Sequence, residues 1–148
     1  MISLKKRQSG FTIVELLIVI IVIGILATLV IVTFTGIQQK ARDNQRQTDV
    51  AAVASHVEAF NAQNGYYPSL ADLQSSAFLS ASLKGLDPDA LIDPKGTALA
   101  GTTSATAYGY ETTGCTNTTA TSATNQCTGF TLTATLEAGG TVVKKSNT

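Results

Sequence analysis

The chain has 148 residues, 44% of them apolar, with ten basic and ten acidic side chains and a formal net charge of zero. That length suits one small domain with an appendage rather than two full domains. Without a basic excess, nucleic acid is excluded as the default partner. No phosphate-binding loop, metal-ligand pattern or nucleophile–base set is legible, which argues against an enzyme.

The first element is an apolar run behind a basic cluster. Lys5, Lys6 and Arg7 precede it, so the chain without its first ten residues has seven basic side chains against ten acidic and a charge near −3. From Leu16 to Ile37 there is no charged residue. As a helix these 22 residues span about 33 Å, enough to cross the hydrocarbon core of a bilayer. Ile and Val lower helix propensity in water, but in lipid the backbone must satisfy its own hydrogen bonds and helix prevails. The basic cluster marks the cytoplasmic side and places the rest of the chain outside.

A secretory signal would end its apolar stretch in a pair of small residues. Here the run ends in Thr33-Phe34-Thr35-Gly36-Ile37-Gln38-Gln39-Lys40. The small residue stands upstream, where Gly10 separates the basic cluster from the run, and cleavage after it would leave the apolar segment on the mature protein. Glu15 lies within that segment. A carboxylate at that depth is costly, so it is a functional candidate by default. The α-amino group freed at Phe11 of a neighbouring subunit is a fitting partner. The alternative is a carboxylate held at headgroup level.

Lys5-Lys6-Arg7-Gln8-Ser9-Gly10-Phe11-Thr12-Ile13-Val14-Glu15-Leu16-Leu17-Ile18-Val19-Ile20, continued by Gly24-Ile25-Leu26-Ala27, strongly resembles the class III signal and N-methylation segment of type IV pilins and pseudopilins. The resemblance covers roughly the first quarter of the chain closely. It implies a leader over residues 1–10 that ends at Gly10 and is removed by a prepilin peptidase, with N-methylation of the new N-terminus at Phe11. It also implies Glu15 as the assembly residue, with Thr12 helping to hold it. Val32 stands where many pilins carry a helix-bending proline, and Gly24 is a weak breaker worth about 1 kcal/mol relative to Ala. The implied partners are further copies of the chain in a helical homopolymer, the membrane before assembly, and an assembly platform with its motor. The implied location is the cell membrane, single pass with the N-terminus cytoplasmic, and then an extracellular filament. The surface or host receptor is not specified.

Residues 11–37 thus form the membrane or filament-core helix, and residues 38–148 the extracellular head. Helical character continues to Asn64, about 80 Å from Phe11, where Asn64-Gly65 is a helix stop. Val50, Val53, Ala54, Val57 and Phe60 make an apolar stripe that packs on a sheet. Lys40, Arg42, Asp43 and Arg46 are expected on the opposite face, in solvent or against neighbouring subunits. Asn64-Gly65-Tyr66-Tyr67-Pro68 followed by Leu70-x-x-Leu73 also looks like pilins and major pseudopilins. Ser69 with Asp72 starts a short helix with Leu70, Leu73 and Ala77 on one face. Asp87-Pro88 and Asp93-Pro94-Lys95-Gly96 are turns.

Strands are expected over Thr106 to Glu111, Gly129 to Glu137 and Thr141 to Lys145. Phe130, Leu132, Ala134 and Leu136 alternate with threonines, and Gly139-Gly140 makes the hairpin turn. The expected fold is α+β: a long N-terminal helix whose apolar half protrudes and whose second half packs on a small antiparallel three-stranded sheet. Cys115 and Cys127 read as a disulfide stapling the long connection between the first two strands.

The other candidates have bland readings. His56, the only histidine, flanks the apolar stripe and reads as structural. Asp87, Asp89 and Asp93 are explained by proline turns, with calcium as the alternative, although their spacing is not that of an EF-hand. No cofactor is expected. Asn117-Thr118-Thr119 is a glycosylation sequon in a threonine-rich loop. The first reading is a major pilin supporting adhesion, twitching motility or DNA uptake. The alternatives are a major pseudopilin of a type II secretion-like system and a non-polymerising, signal-anchored extracellular binding domain.

Overall fold

A computed structural model describes residues 10–116 and 126–147. The chain divides into two units between Gln38 and Gln39. Helix α1, Ile13–Asn64, runs through both. It begins two residues later than the sequence suggests, because Thr12 is its capping residue, and it is unbroken through Gly24, whose carbonyl also accepts the Thr28 hydroxyl. In the first unit α1 is long and apolar enough to cross a membrane. Its large apolar side chains are exposed at every described position, from Ile13 at 86% to Ile37 at 66%.

In the second unit the expected α+β architecture is present. Strands β1, Gly109–Thr113, β2, Gly129–Thr135, and β3, Thr141–Lys145, form an antiparallel sheet in the order β1-β2-β3. Tyr110 is opposite Leu132, and Ala134 opposite Val142. Phe130, Leu132 and Ala134 of β2 are buried alternately with half-buried threonines. They meet the Val50, Val53, Val57 and Phe60 stripe of α1 in one core.

Tyr67 and Tyr110 flank the Phe130 ring at centroid distances of 5.1 and 5.6 Å. Their hydroxyls donate to Glu58 and to the Pro68 carbonyl, while that of Tyr108 donates to Asp49. Three buried rings thereby keep their polar ends bonded.

Three further elements differ in their bounds from the sequence reading. β1 runs from Gly109 to Thr113 rather than from Thr106 to Glu111: Thr106 lies in a tight turn closed by the bond from the Ser104 N–H to the Ala107 carbonyl, and residues 102 and 103 pass directly over Gly109. A Cβ there would clash with the backbone of Thr102 and Thr103. β2 ends at Thr135, and Glu137 belongs to the turn closed by the bond from the Leu136 N–H to the Gly140 carbonyl. Helix α2, Leu70–Gln74, begins with the Ser69–Asp72 capping box but stops at Ser75. Ser75 caps a new helix, α3, Ser76–Ser82, so Ala77 is exposed rather than sharing a buried face with Leu73. Pro88–Leu91 forms a short 3-10 helix capped by Asp87.

The largest correction concerns the upstream face of α1 in this unit. Arg46 has no exposed surface and Asp43 only 5%. Positions 43, 46, 50, 53, 57 and 60 share one face by their spacing of three and four, so both charges extend the apolar stripe instead of opposing it.

Candidate assembly site and the charged clasp of the head

The N-terminal candidates are joined by hydrogen bonds that set where α1 begins. The first backbone N–H groups of a helix have no partner within it. Here Thr12 is the cap, accepting the Glu15 N–H at 3.2 Å through its hydroxyl. Oε2 of Glu15 accepts the Thr12 N–H and hydroxyl, each at 2.9 Å. This reciprocal arrangement is a capping box, possible because a hydroxyl residue stands three positions before a glutamate. Gly10 and Phe11 lie outside the helix on its N-terminal side. Oε2 is fully engaged, and Oε1 accepts nothing among the described residues. The carboxylate is thus oriented by its own chain with one oxygen open to a further donor.

The head holds a second constellation that polarity-based reading misses. Arg46 donates to both oxygens of Asp93, at 2.7 and 3.0 Å, to Asp43 at 2.9 Å and to Glu137 at 3.0 Å. Arg42 grips Glu137 with two further bonds of 2.7 Å, and Lys95 lies 3.5 Å from it. The N–H groups of Glu137 and Ala138 donate to the two oxygens of Asp43. A buried guanidinium requires this density of partners, since burial strips its water.

Three cations face three carboxylates, and the shifts follow. The bonds to Asp93 raise the Arg46 pKa despite desolvation. The Arg42 bonds hold Glu137 down at about 2. Burial pushes Asp43 up, but the two backbone N–H donors and Arg46 outweigh it, leaving it lowered. The clasp ties the start of the head's helix to the β2–β3 turn and the Asp93 turn.

The remaining candidates are placed as follows. Cys115 and Cys127 form a disulfide, and Cys127 exchanges backbone hydrogen bonds with Tyr67. Asp93 belongs to the clasp and Asp87 caps the 3-10 helix. Among the described residues no group of three or more His, Cys, Asp or Glu side chains is placed to hold a metal ion. His56 is half-buried beside Gly85. The Asn117-Thr118-Thr119 sequon lies outside the described residues.

Residues 5–31 match the family model of the prokaryotic N-terminal methylation motif. The chain is 38% identical over 64 residues to type II secretion system core protein G of Aeromonas hydrophila, covering 43% of this chain and 45% of that protein. The proteins of the same name from Dickeya chrysanthemi and Escherichia coli K12 are each 34% identical over 65 and 62 residues, covering 44% and 42% of this chain and 42% and 43% of their own lengths. The match therefore spans less than half the length of these relatives. No solved structure matches the chain significantly. The resemblance to type IV pilins and pseudopilins read from the N-terminal segment is borne out, and the named relatives are type II secretion system proteins.

Proposed function

We propose that this chain is a major pseudopilin, the repeating structural subunit of a type II secretion-like filament. The supporting observation is the N-terminal segment. A methylation motif leads into a helix that exposes a continuous apolar surface, and a carboxylate is held at its start with one oxygen free. Water does not tolerate such a surface, whereas a bilayer or a bundle of identical helices covers it.

In this reading a prepilin peptidase cuts between Gly10 and Phe11, outside the helix, and Phe11 is N-methylated. The anchored subunit then leaves lipid for a bundle of its own kind. Glu15, oriented by Thr12, receives the freed amine of a neighbouring Phe11, which neutralises both charges away from water. An assembly platform and motor drive the addition of subunits, and no catalytic step belongs to the chain itself.

The sequence alone favoured a pilus with adhesion, twitching motility or DNA uptake; the names of the relatives support the pseudopilus instead. Deleting the chain in its source cell tests the choice. The expected result is that exported proteins accumulate inside the envelope while surface pili persist. Intact export with loss of surface pili would return the pilus reading.

A further inference from the structure

Two exposed groups of opposite charge stand among the side chains of the head that form no ion pair among the described residues. Lys144 and Lys145 end β3 and are exposed, and neither forms an ion pair. Asp87 and Asp89 are exposed at the start of the 3-10 helix, where the Asp87 carboxylate accepts only the Asp89 N–H. Lys84, three residues upstream, pairs with neither.

The two groups occupy opposite sides of the sheet. The 3-10 helix reaches the β1 side, because Leu91 accepts the Leu99 N–H and Ala100 then bridges to Gly109. That segment covers the β1 edge, with the Tyr110 N–H donating to Ala100. β3 is the other edge. Its even-numbered residues face β2, as the bond from the Ser146 N–H to Phe130 shows. Thr141, Val143 and Lys145 therefore turn their backbone groups outward. Val143 is 44% exposed there.

We infer that the Lys144–Lys145 edge of one subunit docks against the Asp87–Asp89 turn of a second copy of this chain. The inference rests on the proposed filament and adds its lateral contact. Complementary charges on opposite sides of one protomer make a heterologous contact, which propagates instead of closing as a dimer. Two lysines also keep an open strand edge from pairing indiscriminately, so the same residues reject unrelated strands and select an acidic surface.

The test uses the full chain assembled by its own apparatus, with sheared filaments quantified by immunoblot. Glu15→Ala serves as the assembly-defective reference. Lys144→Glu with Lys145→Glu should lower the yield about tenfold or more, because like charges then meet. Asp87→Asn with Asp89→Lys should do the same, the asparagine preserving the cap of the 3-10 helix. The variant carrying all four changes should recover most of the yield, a result that general misfolding would not give. Normal filaments from either double variant, or no recovery in the combined one, overturns the docking. Wild-type chain that forms no filament would instead overturn the proposed function itself.

Discussion

Between Ile13 and Ile37 the leucines, isoleucines and Phe34 of α1 are all exposed by half or more of their surface, whereas between Asp43 and Phe60 the same helix buries an aspartate and an arginine completely or nearly so. The two regions invert the usual rule that apolar side chains are inside and charged ones outside. Each inversion has its own physical cause. The exposed apolar region belongs in a solvent other than water, which in the proposed filament is first lipid and then sister helices. The buried charges are tolerated because every polar atom of Arg46 is matched within one unit of the chain. In the proposed filament one region is unfinished until it meets copies of itself, and the other is complete alone.

The sharpest way to break this contrast is at the unfinished end. Glu15→Val should leave the protein in the membrane fraction but abolish filaments, as read by shearing and immunoblot. Normal filament yield would show that the apolar surface assembles without the carboxylate. At the finished end, Arg46→Ala strands Asp43 and Asp93 as buried anions. The expected loss is about 3–5 kcal/mol, measured as a lower urea midpoint of the head's tyrosine fluorescence in the detergent-solubilised full chain.

Which of these regions was legible in advance follows from the signals they carry. The apolar run, its basic leader and Glu15 are contiguous in sequence, so periodicity is not needed to see them. The Val50–Phe60 stripe and the β2 alternation are periodic and apolar, and both match the fold. Arg46 and Asp43 obey the same helical spacing, but their polarity suggested solvent. Position was the better guide, and extending the stripe by two more turns would have placed them inward. Their partners could not be read, since Asp93 and Glu137 are 47 and 91 residues from Arg46. The crossing of residues 102 and 103 over Gly109 is likewise a tertiary contact with no local signature.

Smaller effects sharpen the picture of the head. Replacing both Cys115 and Cys127 by Ala removes a crosslink over a short loop and should cost about 3 kcal/mol on the chain-entropy view, seen in the same urea titration. Acid should act through Glu137, whose folded pKa of about 2 lies below its ordinary value of 4.5. A depressed carboxylate contributes stability that is complete above the unfolded pKa and is lost as pH falls through the folded one. The urea midpoint should therefore hold near pH 6 and fall between about pH 4.5 and 2, and Glu137→Gln should flatten that decline. An unchanged acid limb in the variant would assign the decline to other groups.

The central claim is that the exposed apolar helix is retained, freed of its leader and packed against copies of itself. Mass spectrometry of the N-terminal peptide from sheared filaments tests it most directly. The account predicts a peptide beginning at N-methylated Phe11 and continuing through Glu15. A peptide that still carries Met1 through Gly10, or one that begins beyond Ile37, would contradict it.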